Sequence, residues 1–259
     1  MDNFFEITSK DNSLIKLVCS LQTSSKKRKE NGLFVIEGLR ICKDAFENNI
    51  RFDKLIVTKN ALLKWEKDIE NFSRNADKNI IIPDNLFKKI SDTDSPQGII
   101  ALAKIPEKST LTELNGRYIA LENISDPSNL GAVSRTAEAL GVSGIIISSS
   151  SVDPYSPKSL RASMGTLIRM PIYICDDISE FCEKNSLRSF ACVVDKSAKK
   201  ITSVKFCERD VVIIGNEANG LSKDTKEKAY ENITIPMSGR AESLNAAVAA
   251  SVAMWEMMK

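Results

Sequence analysis

Ile235-Pro-Met-Ser-Gly-Arg-Ala-Glu-Ser-Leu-Asn-Ala-Ala-Val-Ala-Ala-Ser-Val-Ala-Met-Trp-Glu256 is the stretch on which the reading of this 259-residue chain turns. A short apolar strand, Asn232 to Ile235, breaks at Pro236. A polar loop containing Gly239 follows, and an Ala-rich helix is predicted from about Ser243. The short side-chain oxygens of Ser243 and Asn245 can both accept the orphan N–H groups of a first helical turn. Taken alone, the pattern describes a capped core helix. It acquires a function only if loops of the same kind elsewhere in the chain can meet it.

Upstream of this stretch, short apolar strands alternate with helices. Tyr118 to Leu121 predicts a strand, Leu130 to Leu140 a helix, Gly144 to Ser148 a strand, Ser156 to Ser163 a helix, and Ile172 to Ile174 a strand. Ile178 to Glu183 is then helical, and Arg188 to Val194 and Val211 to Gly215 are strands. These strands lack polar alternation, which predicts a parallel sheet covered on both faces by helices. Ligands of such sheets bind at the carboxyl ends of the strands. In the front part, residues 4 to 23 read as a helix after a short lead, with Ser9 or Asp11 as caps. Strands are predicted at Gly32 to Gly38, Asp53 to Thr58, Ile80 to Ile82 and Ile99 to Lys104, with helices at Leu39 to Asn48, Leu62 to Phe72 and Asp84 to Ile90. The fold class is therefore α/β in two domains, 1–105 and 113–259, joined by a linker at 106–112 within a Pro-containing, charged and small-residue stretch.

Composition excludes several chemistries. The chain has no histidine, which removes imidazole general bases and His-containing zinc sites, and its six cysteines form no Cys-x-x-Cys pair. No metal site is expected. No run approaches the roughly 20 apolar residues that span a bilayer, and the N-terminus lacks a basic start with an apolar core. The expectation is a soluble, cytoplasmic protein with reduced thiols and no membrane partner. The net charge is only +2, but residues 1 to 108 carry 19 Lys and Arg against 16 Asp and Glu, so the excess sits in front. Its densest point is Lys26-Lys27-Arg28-Lys29, which is either a solvated face or a phosphate-contacting patch.

Three loops follow three of the predicted strands. The first, Glu122-Asn-Ile-Ser-Asp-Pro-Ser-Asn-Leu-Gly131, opens a helix that carries Arg135. Free N–H groups at a helix start and a bidentate guanidinium suit a phosphate-bearing substrate. The second, Gly215-Asn-Glu217-Ala-Asn-Gly220-Leu-Ser222, places a carboxylate between glycines that permit close backbone approach. The third is the opening stretch. No dinucleotide or Walker-type glycine motif accompanies these strands. The run Ser148-Ser-Ser-Ser151 reads as a flexible loop.

In order and internal spacing, Asn-Ile-x-Asp-Pro-x-Asn-x-Gly-x-x-x-Arg-x-Ala, Gly-Asn-Glu-x-x-Gly-Leu and Ile-Pro-Met-x-Gly-x-x-x-Ser-Leu-Asn resemble the three motifs of the SpoU (TrmH-like) RNA 2′-O-ribose methyltransferases of the SPOUT superfamily. The likeness covers residues 118 to 256, and Val152 to Gly165 resembles the segment those enzymes carry between the first two motifs. Ile7-Thr-Ser, Lys26 to Arg28, Phe34 to Arg40 and Ser95-Pro-Gln-Gly98 resemble the L30e-like RNA-binding domain of ribosomal-RNA members. The resemblance implies an N-terminal L30e-like substrate-binding domain and a C-terminal catalytic domain threaded as a deep trefoil knot.

It also implies S-adenosyl-L-methionine as methyl donor, cradled by Gly215, Ile235, Met237 and Leu244 with Glu217 and Ser243 shaping the pocket. Asn129, Arg135, Glu217, Ser243 and Asn245 are the implied catalytic set. Lys26, Lys27, Arg28, Arg40, Arg135 and Arg161 are the implied RNA contacts. A guanidinium remains protonated in proteins, so Arg135 is expected to bind phosphate and stabilise alkoxide charge rather than act as base. The implied assembly is a homodimer, and the implied substrate is ribosomal RNA of the 23S type. A transfer-RNA enzyme, a resistance methyltransferase, and a noncatalytic RNA-binding protein on the same scaffold are the alternatives.

Overall fold

The computed structural model describes residues 4–106 and 114–259. These fall into two compact units, one holding the residues up to 106 together with Tyr155–Arg161, the other 114–154 together with Ala162–Lys259. Apart from Pro106, the expected linker lies outside the described residues.

The first unit runs β1 (Phe4–Glu6), α1 (Ser13–Thr23), α2 (Ser25–Asn31), β2 (Leu33–Glu37), α3 (Leu39–Glu47), β3 (Phe52–Val57), α4 (Lys59–Lys64), α5 (Glu66–Arg74), β4 (Ala76–Ile81), α6 (Asp84–Ile90) and β5 (Ile99–Lys104). The sheet order is β1-β4-β3-β5-β2. β1, β4 and β3 are mutually parallel, and β5 runs antiparallel between β3 and β2. α1 places Leu14, Ile15, Val18 and Leu21 on one buried face against β2 and α6, the helical spacing read from sequence. Its cap is Asn12, whose side chain accepts from Leu14 N, and neither Ser9 nor Asp11 takes that place. The lead before it includes the edge strand β1 paired with β4. The helix expected over Leu62 to Phe72 is two helices that break at Trp65.

One expected RNA contact, Arg28, turns inward instead. Arg28 is buried, and its guanidinium donates to the carbonyls of Leu21 and Gln22 at the C-terminal end of α1. Those carbonyls have no partner within the helix, and a cation there also opposes the negative end of the helix dipole. Arg28 thus fastens α2 to α1, while Lys26 and Lys27 remain exposed and share Glu30.

The second unit continues with β6 (Tyr118–Leu121), α7 (Pro127–Leu140), β7 (Gly144–Ser148), α8 (Pro157–Ala162), α9 (Thr166–Arg169), β8 (Ile172–Cys175), α10 (Ile178–Lys184), β9 (Arg188–Cys192), β10 (Lys199–Lys200), β11 (Asp210–Ile214), α11 (Lys223–Lys228), β12 (Glu231–Thr234) and α12 (Ala246–Met258). Tyr155–Arg161, which carries most of α8, belongs with the first unit. The sheet has the order β10-β12-β9-β11-β6-β7-β8, and every pair is parallel. β6, β7 and β11 are buried along their whole length, as strands covered on both faces must be. The parallel sheet expected from the unalternating strands is therefore present. Among the described residues, no helix is long and apolar enough to cross a membrane.

Candidate functional site

The three loops leave the carboxyl ends of β6, β11 and β12, and hydrogen bonds tie them together. α7 begins where the Asp126 carboxylate accepts from Ser128 N (2.8 Å) and Pro127 occupies the first turn, where its missing N–H costs nothing. This start turns Asn129 inward. Its Nδ2 donates to Glu217 Oε1 in the second loop (2.5 Å), while its Oδ1 accepts from Asn245 Nδ2 in the third (3.1 Å). Asn245 Oδ1 in turn accepts from Ala247 N and Val248 N, so the same side chain caps α12. The helix starts at Ala246 and Asn245 is its cap; Ser243 lies outside it, exposed. One carboxamide, Asn129, thus holds an acidic loop on one side and a helix cap on the other.

The second loop is folded on itself. Asn216 and Gly220 exchange backbone hydrogen bonds, and Asn216 Oδ1 accepts from Ala218 N and Asn219 N. A Cβ on Gly215 would lie 2.3 Å from Gly220 C and 2.4 Å from Leu221 N, so only glycine permits this closure. Asn216 Nδ2 donates to Asn123 O of the first loop (2.7 Å). Beneath it, the buried Glu122 carboxylate accepts from Ser222 N (2.8 Å), Ser222 Oγ (3.0 Å) and Thr225 Oγ1 (2.6 Å).

The serine run is not the flexible loop expected. Ser148 Oγ accepts from Asn123 N and Ser151 Oγ from Ile124 N, and Ser150 Oγ bonds Asn123 Oδ1. Asn123 sits at φ 57, a left-handed conformation that these bonds hold in place. The serines are a template for the first loop.

Between the second and third loops lies a cleft of about 600 Å³. All six residues expected to cradle a donor line it: Gly215, Glu217, Ile235, Met237, Ser243 and Leu244. Asn129 and Asn245 stand behind this wall through the bonds above. The sequence reading missed Cys192 to Asp195, which run from the last residue of β9 into the segment after it and form another wall. They occupy the same carboxyl-end position as the three motif loops, and that position was the available signal. Burial pushes the Cys192 thiol up to about 11, so this neighbour of the cleft is an uncharged thiol at neutral pH. The charged lining comprises Asp195, Glu217 and Glu242 against Lys226.

Arg135 lies two turns into α7, is exposed, and engages no carboxylate among the described residues. Lys26, Lys27, Arg40 and Arg161 belong to the first unit. Arg40 is exposed near the start of α3, and Arg161 pairs with Asp92.

The SpoU rRNA Methylase family model matches residues 116–255, and the MRM3-like substrate binding domain model matches 12–101. The 23S rRNA (guanosine(2553)-2′-O)-methyltransferase of Bacillus subtilis is 25% identical over 97% of this chain and 98% of its own length. The 23S rRNA (uridine(2479)-2′-O)-methyltransferase of Streptomyces viridochromogenes is 26% identical over 93% and 87%. Among solved structures, the AdoMet-bound rRNA methyltransferase from Sinorhizobium meliloti is 26% identical, superposes with a TM-score of 0.85, and is matched over 98% of this chain and 97% of its own.

Proposed function

The chain belongs to the SpoU rRNA methylase family, and from that premise we infer that it is an S-adenosylmethionine-dependent methyltransferase acting on the ribose 2′-oxygen of ribosomal RNA. The observation that carries this reading is the Asn129 bridge, which joins all three motif loops beside one cleft. Ribosomal RNA of the 23S type is favoured over transfer RNA by the near full-length likeness to two 23S rRNA 2′-O-methyltransferases and by the substrate-binding domain model in front.

The cleft suits the donor. Apolar faces of Ile235, Met237 and Leu244 can pack against an adenosine, and three carboxylates against one lysine favour a ligand bearing a sulfonium and an ammonium. When bound, S-adenosylmethionine supplies an already transferable methyl group. The protein's tasks are then to align the 2′-oxygen and to stabilise the charge left as its proton departs. Gly215 lets the backbone of the second loop close, Glu217 and Ser243 shape the cleft, and Asn129 and Asn245 fix the loops relative to one another. Arg135, which pairs with no carboxylate among the described residues, can grip a substrate phosphate and face a developing alkoxide.

We also propose a homodimer and the knotted threading that characterises the family. α12 supports the first, because a helix apolar all round requires cover on both sides. Support for the second comes from β11 lying between β6 and β9 and from the return of α12 onto α7.

Methyl-labelled S-adenosylmethionine with 23S, 16S and transfer RNA, followed by mapping of blocked 2′-positions, tests the reading. The expected result is one labelled ribose in 23S RNA, with kcat lowered roughly 10²- to 10³-fold by Arg135→Ala. Absence of transfer to every RNA, immature and mature, would remove it.

A further inference from the structure

The first unit has a concavity of its own, about 530 Å³, at the carboxyl end of β3. Two backbone features make it. Trp65 takes φ −128 and ψ 42, which ends α4, begins α5 and leaves the half-buried indole on the wall. Gly98, at φ +77, lets the turn after Ser95 lie flush on Thr58, where a Cβ would come within 2.5 Å of Thr58 Oγ1. A floor of backbone and an aromatic wall result.

The charges around it are mixed in a particular way. Lys64 Nζ lies 4.7 Å from the Trp65 ring centroid, and Lys88 lines the same wall from α6. Neither is in an ion pair among the described residues, although Lys59, the first residue of α4, is matched with Glu6. Asp84 accepts from Asn60 Nδ2 (2.7 Å), which leaves the second carboxylate oxygen and Asn60 Oδ1 as acceptors. A simple anion would be repelled by Asp84, and an apolar peptide has no use for two unmatched lysines. A nucleotide answers every feature: a π-face for Trp65, base N–H groups for Asp84 and Asn60, and phosphates for Lys64 and Lys88. The volume lies in the ordinary range for a small-ligand site.

We propose that this concavity holds one unpaired nucleotide of the RNA substrate, stacked on Trp65 with its flanking phosphates on Lys64 and Lys88. The proposal rests on the reading that the chain methylates RNA and adds a second contact, in the substrate-binding unit, remote in sequence from the methyl-transfer motifs.

The chain has two tryptophans, so full-length Trp255→Phe leaves Trp65 as the sole reporter. Titration with single-stranded RNA should quench its fluorescence saturably, and heparin, a polyanion without bases, should not. Lys64→Glu/Lys88→Glu should weaken binding at least about 10-fold and flatten the slope of log affinity against log salt by about 1.4, the value for two phosphate contacts on a single strand. Trp65→Ala should raise the KM for RNA roughly 5- to 100-fold, as loss of one stacked base does, with the KM for S-adenosylmethionine unchanged and partial rescue by Trp65→Phe. Equal quenching by heparin would reduce the site to a charged patch. An unchanged RNA KM in Trp65→Ala, with methyl transfer intact, would overturn the proposal outright. If the wild type transfers no methyl group to any RNA, the enzymatic reading fails, while the quenching assay still decides the nucleotide site.

Discussion

Asn129 contributes geometry rather than charge, and so does its partner Asn245. Asn245 does two separable things: its Oδ1 caps α12 and its Nδ2 reaches Asn129. Asn245→Ala should lose both, with about 1 kcal/mol of stability gone for the cap. Asn245→Ser keeps a capping oxygen but lacks the carboxamide NH2 that reaches Asn129, so its urea midpoint should stay near wild type while methyl transfer falls as far as in the alanine variant. Equal activity for the serine variant and wild type would show that the bridge is dispensable. Gly215 is a harsher case, because its missing Cβ would meet backbone rather than a movable side chain. Gly215→Ala should cost about 1 to 3 kcal/mol by overpacking and weaken S-adenosylmethionine binding, read by thermal unfolding and calorimetry on the same preparation.

At the scale of elements, Glu122 joins the end of β6 to the start of α11, since Ser222 both bonds this carboxylate and caps that helix through Thr225 N. Glu122→Ala would leave the buried Thr225 hydroxyl without its carboxylate acceptor, at a cost of about 1 to 3 kcal/mol, and would remove the part-buried bonds that Ser222 N and Oγ make to the same carboxylate. A lowered urea midpoint, with the second loop opening first in hydrogen exchange, is the expected outcome. Long elements with one strong pattern were legible in the sequence: the apolar strands of the parallel sheet, the face of α1, the body of α12. What could not be read depends on where a side chain turns. Arg28 looks like its neighbours Lys27 and Lys29, yet it alone folds back on α1. The serines from 148 to 151 have loop composition, and only their bonds to Asn123 and Ile124 make them a template. The apolar spacing from Leu62 to Phe72 is continuous across Trp65, so periodicity gave no sign of the break.

For the whole molecule, the site was legible because three spaced motifs each follow a strand, and parallel strands deliver their carboxyl-end loops to one edge of the sheet. The wall after β9 carries no such motif and went unread. The partner of α12 follows from a different kind of observation. Its inner face buries Ala246, Ala250, Ala253 and Met254, while Val248, Val252 and Trp255, with Leu244 just before the helix, leave a second apolar stripe exposed at spacings of four, four and three. Trp255 is 59% exposed and Val248 49%, and Glu256 is the one charged residue in the helix. A stripe of that length is costly in water and fits a second copy of itself across a two-fold axis, which needs only a self-complementary patch. Sedimentation should therefore give a dimer for the wild type and a monomer for Val248→Glu/Val252→Glu. Both side chains point away from the core, so the variant should keep its fold. If the active site uses surfaces of both copies, methyl transfer should fall with the dimer, and raising the protein concentration should restore it. A wild-type chain that sediments as a monomer at micromolar concentration would leave that face without its proposed partner.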